Sequence, residues 1–184
     1  MSTIKIMIIR HSEKPNGDAG VTLSGAHDPH ALTVRGWQRA GALVGLFTPG
    51  EHFASSYIAI PHCIFACGVT PQSRSLRPQQ TVVPLADKLG LTIDTSFSKG
   101  DESELARAAS KIGGVVLIAW DHKHIPAIDG ALLGDSGRHP RHWPDDRYDL
   151  VWVFDRSAAS AMWSFLQLPQ LLLAGDSREP IALA

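Results

Sequence analysis

Residues 6–9 read IMII and run, without a spacer, into Arg10, His11, Ser12 and Glu13. The apolar run from residue 4 to residue 9 reads as a buried strand. Residues 63–67 (CIFAC) and 115–120 (VVLIAW) have the same form. Each is followed by polar, chemically capable residues rather than a hairpin turn, and helical patterns lie between them. That alternation predicts an α/β fold with a central, largely parallel sheet. In such sheets ligands gather beyond the carboxyl ends of the strands, and Arg10 and His11 stand at one such end.

The chain of 184 residues, 44% hydrophobic, has material for a single cored domain spanning residues 1–184. Its 17 basic and 18 acidic residues leave a net charge of -1. Nucleic acid and anionic membrane are therefore not expected as partners, since both call for a clear basic excess. Cys63 and Cys67 lie within an apolar run and read as packed, reduced thiols. The first residues, MSTIKIMIIRH, hold neither a signal-peptide core nor a membrane-length run. A soluble, cytoplasmic protein is the expectation; oligomeric state is left open.

Residues 12–31 carry Gly, Pro, Asn and Asp and form a long loop, of a length that is more often functional than idle. Thr33 caps a helix on which Trp37, Ala40, Val44 and Phe47 recur at helical spacing. Pro78 suits the first turn of a second helix, with Val82, Leu85, Ala86 and Leu89 as its buried face and Gly90 as its end. A third helix starts near Asp101 or Ser103 and closes at Gly113, and a fourth covers residues 125–133. Residues 148–154 and 162–168 fit a terminal hairpin on the edge of the sheet.

This order brings Arg10 and His11, Arg77 at a helix start, and His122 after the third strand to one crevice. Arginine supplies forked donors that match phosphate oxygens. A neutral imidazole can attack phosphorus, and a neighbouring cation can stabilise the charge that develops. The first strand would thus hold a nucleophile and its anion-binding partner on a rigid element.

These residues resemble a known family. IIRHSEKP (residues 8–15) is similar to the signature of the histidine phosphatase superfamily, in which Arg-His-Gly follows the first strand. LTVRGWQRA (residues 32–40) resembles its Leu-Thr-x-x-Gly-x-x-Gln-Ala segment, and SRSLRPQQT (residues 73–81) its Ser-x-x-x-Arg-Ala-x-Gln-Thr helix start. VVLIAWDHKHI (residues 115–125) resembles the strand that delivers a second histidine. The resemblance implies the phosphoglycerate mutase-like fold, a three-layer sandwich with a mostly parallel central sheet flanked by helices. It also implies a phosphatase working through a phosphohistidine on His11, with Arg10, Ser12, Arg77 and His122 binding the phosphoryl group and no metal or other cofactor. Ser12 stands where the family has glycine; it would still offer its backbone N–H and adds a hydroxyl, so binding should survive, and Pro78 replaces alanine harmlessly.

The acid that protonates the leaving group is open. Asp101, Glu102 and Glu104 lie in the region the family uses, Glu13 neighbours the nucleophile, and Asp121 precedes His122. Glu13 and Asp101 are favoured. Expected partners are a phosphorylated small molecule or a phosphoprotein. Residues 14–31 and 134–147 would wall in a small molecule, and Arg138, His139, Arg141 and Arg147 could attract a second anionic group. Alternatives are a mutase of the same superfamily, a catalytically silent phosphate-binding domain, and a zinc hydrolase built on HDPH (residues 27–30) or HPRH (residues 139–142).

Overall fold

The computed structural model describes residues 3–50, 57–134, 139–157 and 162–183. Its strands are β1 (Ile4–Arg10), β2 (Cys63–Ala66), β3 (Ile93–Asp94), β4 (Gly114–Trp120), β5 (Leu150–Arg156) and β6 (Ser164–Pro169). The helices are α1 (Val34–Phe47), α2 (Arg77–Leu89), α3 (Glu102–Ile112) and α4 (Ile125–Leu133). One sheet runs in the order β3-β2-β4-β1-β5-β6. β1 to β4 are mutually parallel, whereas β5 is antiparallel to both β1 and β6.

The unbroken apolar runs follow from this arrangement, because helices cover both faces of the sheet. Ile6 and Ile8 join Val116, Ile118, Leu105 and Ile128 in one core cluster, against α3 and α4. Met7 and Ile9 join Leu117, Leu43, Phe47, Val82 and Leu85 in the other, against α1 and α2. The result is the expected three-layer α/β sandwich.

Helix boundaries obey local chemistry. The Thr33 hydroxyl accepts from the Gly36 N–H at 3.1 Å, capping α1. Pro78 sits in the first turn of α2, and Gly90, at φ 66°, ends that helix in a left-handed conformation. Gly36 has a second role. A Cβ there would come within 2.7 Å of the Glu13 carbonyl oxygen, so glycine lets α1 back directly onto the loop that follows β1.

Three details depart from expectation. The buried stripe of α1 is Gly36, Arg39, Ala40, Leu43 and Phe47; Trp37 turns to the 12–31 loop instead, its Nε1 donating to the Val21 carbonyl at 2.8 Å. The strands of the terminal hairpin each begin two residues later; at the start of β5, Tyr148 and Asp149 instead contact Arg10 and Arg147. β3, only two residues long, had no periodicity to betray it.

Candidate active site

β1 and β4 run in parallel register from Ile4 opposite Gly114 to Arg10 opposite Trp120. The His11 N–H continues the ladder, donating to the Trp120 carbonyl at 3.0 Å. Two adjacent strands therefore deliver His11 and His122 to the same edge, with ring centroids 6.5 Å apart and planes at 82°. Both rings are buried, at 2% and 4% exposure.

The His11 imidazole is held neutral, with one ring nitrogen free. Its Nδ1 lies 2.7 Å from the Ser12 carbonyl oxygen, which can only accept, so Nδ1 carries the proton and Nε2 keeps its lone pair. Burial, with help from the Arg10 and Arg77 charges, pushes this imidazole down to about 3, against the opposing pull of the Ser12 hydrogen bond.

Arg10 is 1% exposed. The carbonyls of Pro144, Asp145 and Arg147 crowd around its Nη1 at 3.0, 2.8 and 2.9 Å. Its guanidinium carbon lies 3.8 Å from the centre of the Tyr148 ring. Nε and Nη2, also buried, have no hydrogen-bond partner. Arg77 opens α2 with its Nη1 donating to the Pro29 carbonyl at 3.2 Å, while its buried Nε has no partner. Buried donors without acceptors are costly unless an anion satisfies them, and two guanidiniums present them beside one neutral imidazole.

Thr81 locks the two halves together. Its hydroxyl accepts from the Ser12 N–H at 2.8 Å and donates to the Arg77 carbonyl at 2.7 Å. This corrects the expectation for Ser12, whose backbone N–H is consumed by Thr81. What Ser12 offers is its buried hydroxyl, which has no partner.

His122 faces His11 with its Nε2 against the carboxylate of Asp145 and its Nδ1 3.8 Å from Asp121. Burial and the Arg10 charge hold it below the ordinary imidazole value, with Asp121 and Asp145 opposing. Asp121 is itself engaged. Although burial works against its charge, bonds from His124 at 3.2 Å and Lys99 at 3.1 Å keep its carboxyl well below the usual range.

The two favoured acids have other tasks. Glu13 accepts from Arg39 Nε at 3.0 Å and Nη2 at 2.9 Å, and Arg35 approaches it at 3.4 Å. Asp101 stands at the N-terminal boundary of α3, and its carboxylate accepts not from the helix but from the Ser98 N–H and hydroxyl at 2.8 and 2.9 Å, bonds that lower its carboxyl. Glu102 accepts from the Trp120 indole at 3.0 Å, and Glu104 stands exposed near Arg107. In this geometry Glu13 fastens the loop after β1 to α1, and Asp101 fastens the turn that leads into α3.

Asp145, Tyr148 and Arg39 escaped the sequence reading. The first two lie just before β5, whose antiparallel pairing with β1 brings its start to the edge where β1 ends. Arg39 stands where the family segment quoted above has Gln. A cavity of about 480 Å³ adjoins this edge, walled by Lys14, Asp18, Arg35, Asp145, Asp146 and Tyr148 among others. Lys14, Asn16, Asp18, Asp145 and Asp146 come from the two segments expected to enclose a substrate, and Glu13, Thr33, Arg35 and Tyr148 flank those segments. The basic residues expected to attract a second anion are otherwise placed. Arg147 pairs with Asp149 at 2.7 Å, and His139 abuts the fully buried Asp129, whose carboxyl burial pushes up to about 7. Arg141 lines separate cavities, and Arg138 lies outside the described residues.

Among the described residues, one trio, His11, Asp121 and His122, brings ligand-type atoms within 4.8 Å of one another. Two guanidiniums beside it and the bonds already made by Asp121 make this a poor cation site. His27, Asp28 and His30 form no such group, nor do His139 and His142. Cys67 is buried, its thiol pushed up to about 11 chiefly by burial, as expected of a packed hydrophobe.

No protein-family model matches the chain, and no curated protein matches it by sequence. Solved structures do. The protein histidine phosphatase SixA complexed with tungstate superposes with a TM-score of 0.55 at 12% identity, covering 91% of this chain and 97% of its own. The ecdysone phosphate phosphatase of Bombix mori, also with tungstate, gives 0.54 at 14%, covering 97% and 98%. A mycobacterial glucosyl-3-phosphoglycerate phosphatase with VO3 gives 0.52 at 14%, covering 88% and 97%. The chain therefore has the phosphoglycerate mutase-like fold of these phosphatases.

Proposed function

We propose that this chain is a phosphatase of the histidine phosphatase superfamily, hydrolysing phosphomonoesters through a phosphohistidine on His11. One observation carries the reading: a buried imidazole with its proton fixed on Nδ1 faces a second imidazole and lies near two guanidiniums with unsatisfied buried donors. In the first displacement the Nε2 lone pair attacks phosphorus, and the bond from phosphorus to the ester oxygen breaks. The Ser12 carbonyl steadies Nδ1–H as the ring takes up positive charge. Arg10 Nε and Nη2, Arg77 Nε, the Ser12 hydroxyl and His122 hold the phosphoryl oxygens as charge builds. Water then attacks phosphorus, the N–P bond breaks, and phosphate leaves with His11 neutral again.

Arg10 and Arg77 supply the positive charge that a metal would bring, so the activity we propose is metal-independent. Structures of this fold have been solved with tungstate or VO3, mimics of a phosphoryl group, which supports a phosphoryl-transfer reading. The cavity beside it favours a phosphorylated small molecule as substrate over a phosphoprotein. The two free thiols fit the cytoplasmic location we propose. The test is hydrolysis of p-nitrophenyl phosphate in chelator by the parent and by His11→Ala. Turnover by the parent and none by the variant is expected; equal turnover by both would remove His11 from the mechanism.

A further inference from the structure

A leaving alkoxide needs a proton, and the groups around His11 restrict where it comes from. Glu13 is bound by Arg39, Asp101 by Ser98, Asp121 by Lys99 and His124, and Glu102 by Trp120 and Gly100. Each already accepts from donors it would have to abandon in order to hold and release a proton. Asp145 differs. Its carboxylate rests on His122 Nε2, across the site from His11, yet its side chain is 70% exposed. It also walls the 480 Å³ cavity, the open space beside the site into which a leaving group would be displaced. Its own main-chain carbonyl clamps Arg10 at 2.8 Å, so the residue is anchored to the phosphoryl-binding machinery.

We propose that Asp145 is the acid that protonates the leaving alcohol, fitting the site to alkyl phosphomonoesters whose alcohol departs into this cavity. The inference rests on the phosphatase reading above. In the free protein the His122 contact keeps the Asp145 carboxyl below its usual range. A bound phosphate dianion takes over His122 and places negative charge beside Asp145, which favours the protonated carboxyl. His11 Nε2 then forms the N–P bond, the P–O bond breaks, and its electron pair takes the Asp145 proton, releasing a neutral alcohol. In the second step the Asp145 carboxylate takes a proton from the attacking water as the N–P bond breaks, which restores the acid.

The experiment compares the parent and Asp145→Asn on three esters: p-nitrophenyl phosphate, phenyl phosphate and glycerol 2-phosphate. Asparagine keeps the main-chain carbonyl that Arg10 uses and sits at an exposed position, so folding is preserved. Nitrophenolate leaves largely unaided, whereas the glycerol oxygen cannot. The variant is expected to lose about 10²–10⁴-fold in kcat/KM on glycerol 2-phosphate but about tenfold or less on p-nitrophenyl phosphate, with phenyl phosphate between. An equal loss on all three, no loss on any, or a parent active on p-nitrophenyl phosphate alone would overturn the proposal. A parent inactive on all three would overturn the phosphatase reading itself.

Discussion

Removing the guanidinium of Arg39 tests how the nucleophile loop is held. Arg39 is 2% exposed and bridges two otherwise separate segments. Besides its bonds to Glu13, its Nη1 and Nη2 donate to Asp176 at 3.0 and 2.7 Å, and Nη1 reaches Gln170 at 3.1 Å. Glu13 follows Ser12, whose carbonyl fixes the His11 proton, so the network ends one residue from the nucleophile's anchor. Arg39→Leu strips Asp176 of its guanidinium and leaves Glu13 only the half-exposed Arg35 at 3.4 Å. Breaking a buried pair in this way costs about 3–5 kcal/mol, a large part of the ~5–15 kcal/mol that holds a domain together. At about 2–4 °C per kcal/mol for a chain of this size, the melting temperature should fall by roughly 6–20 °C. Arg39→Lys keeps the charge but not the fork and should lose about 1–3 kcal/mol. Acid sharpens the test. Despite burial, Arg39 holds the Asp176 carboxyl at about 2, so its stabilisation is complete above about pH 4 and disappears as pH falls toward 2. Urea titrations of the three proteins at neutral pH measure the differences. A loss below about 1 kcal/mol for Arg39→Leu would mean that the pair behaves as a solvated surface contact, and the reasoning would fail.

Two further outcomes follow from the site. With the His11 imidazole near 3, its protonation should not limit kcat/KM above about pH 4, and Arg77→Gln, by removing one of the cations that depress it, should move the acid limb upward; an acid limb already near the free imidazole value in the parent would refute the electrostatic account. Thr81→Val strands the Ser12 N–H, while the Arg77 carbonyl keeps its helical donor, so it should cost about 1–3 kcal/mol in urea titration and lower kcat at least about tenfold, with Thr81→Ser restoring both.

What the sequence could reveal followed the physics of each element. The three strand cores and the starts and stops of α2, α3 and α4 were legible because unbroken apolar runs, Pro78, Gly90 and Gly113 act locally. Arg10, His11, Arg77 and His122 were legible because the three strand–helix units carry them to one edge of the sheet. Arg39 was hidden, since a basic residue on a helix is by default a solvated one, and only Glu13 and Asp176, 26 positions before it and 137 after it, explain its burial. Asp145 and Tyr148 were hidden because their place depends on an antiparallel pairing between β1 and β5 that no local pattern encodes. Sequence proximity made Glu13 a tempting acid, and the pairing with Arg39 gives it a structural task. The Ser12 backbone could not be judged without Thr81, 69 positions away.

The central claim is that phosphorus passes through His11. Mixing the protein with excess p-nitrophenyl phosphate, quenching in base within milliseconds to spare an acid-labile N–P bond, and sequencing the peptides by mass spectrometry tests this most directly. A phosphoryl group on His11, absent from His11→Asn and lost on longer incubation, is the predicted result. Turnover with His11 unmodified at every time point, or with the label on another residue, would contradict the account.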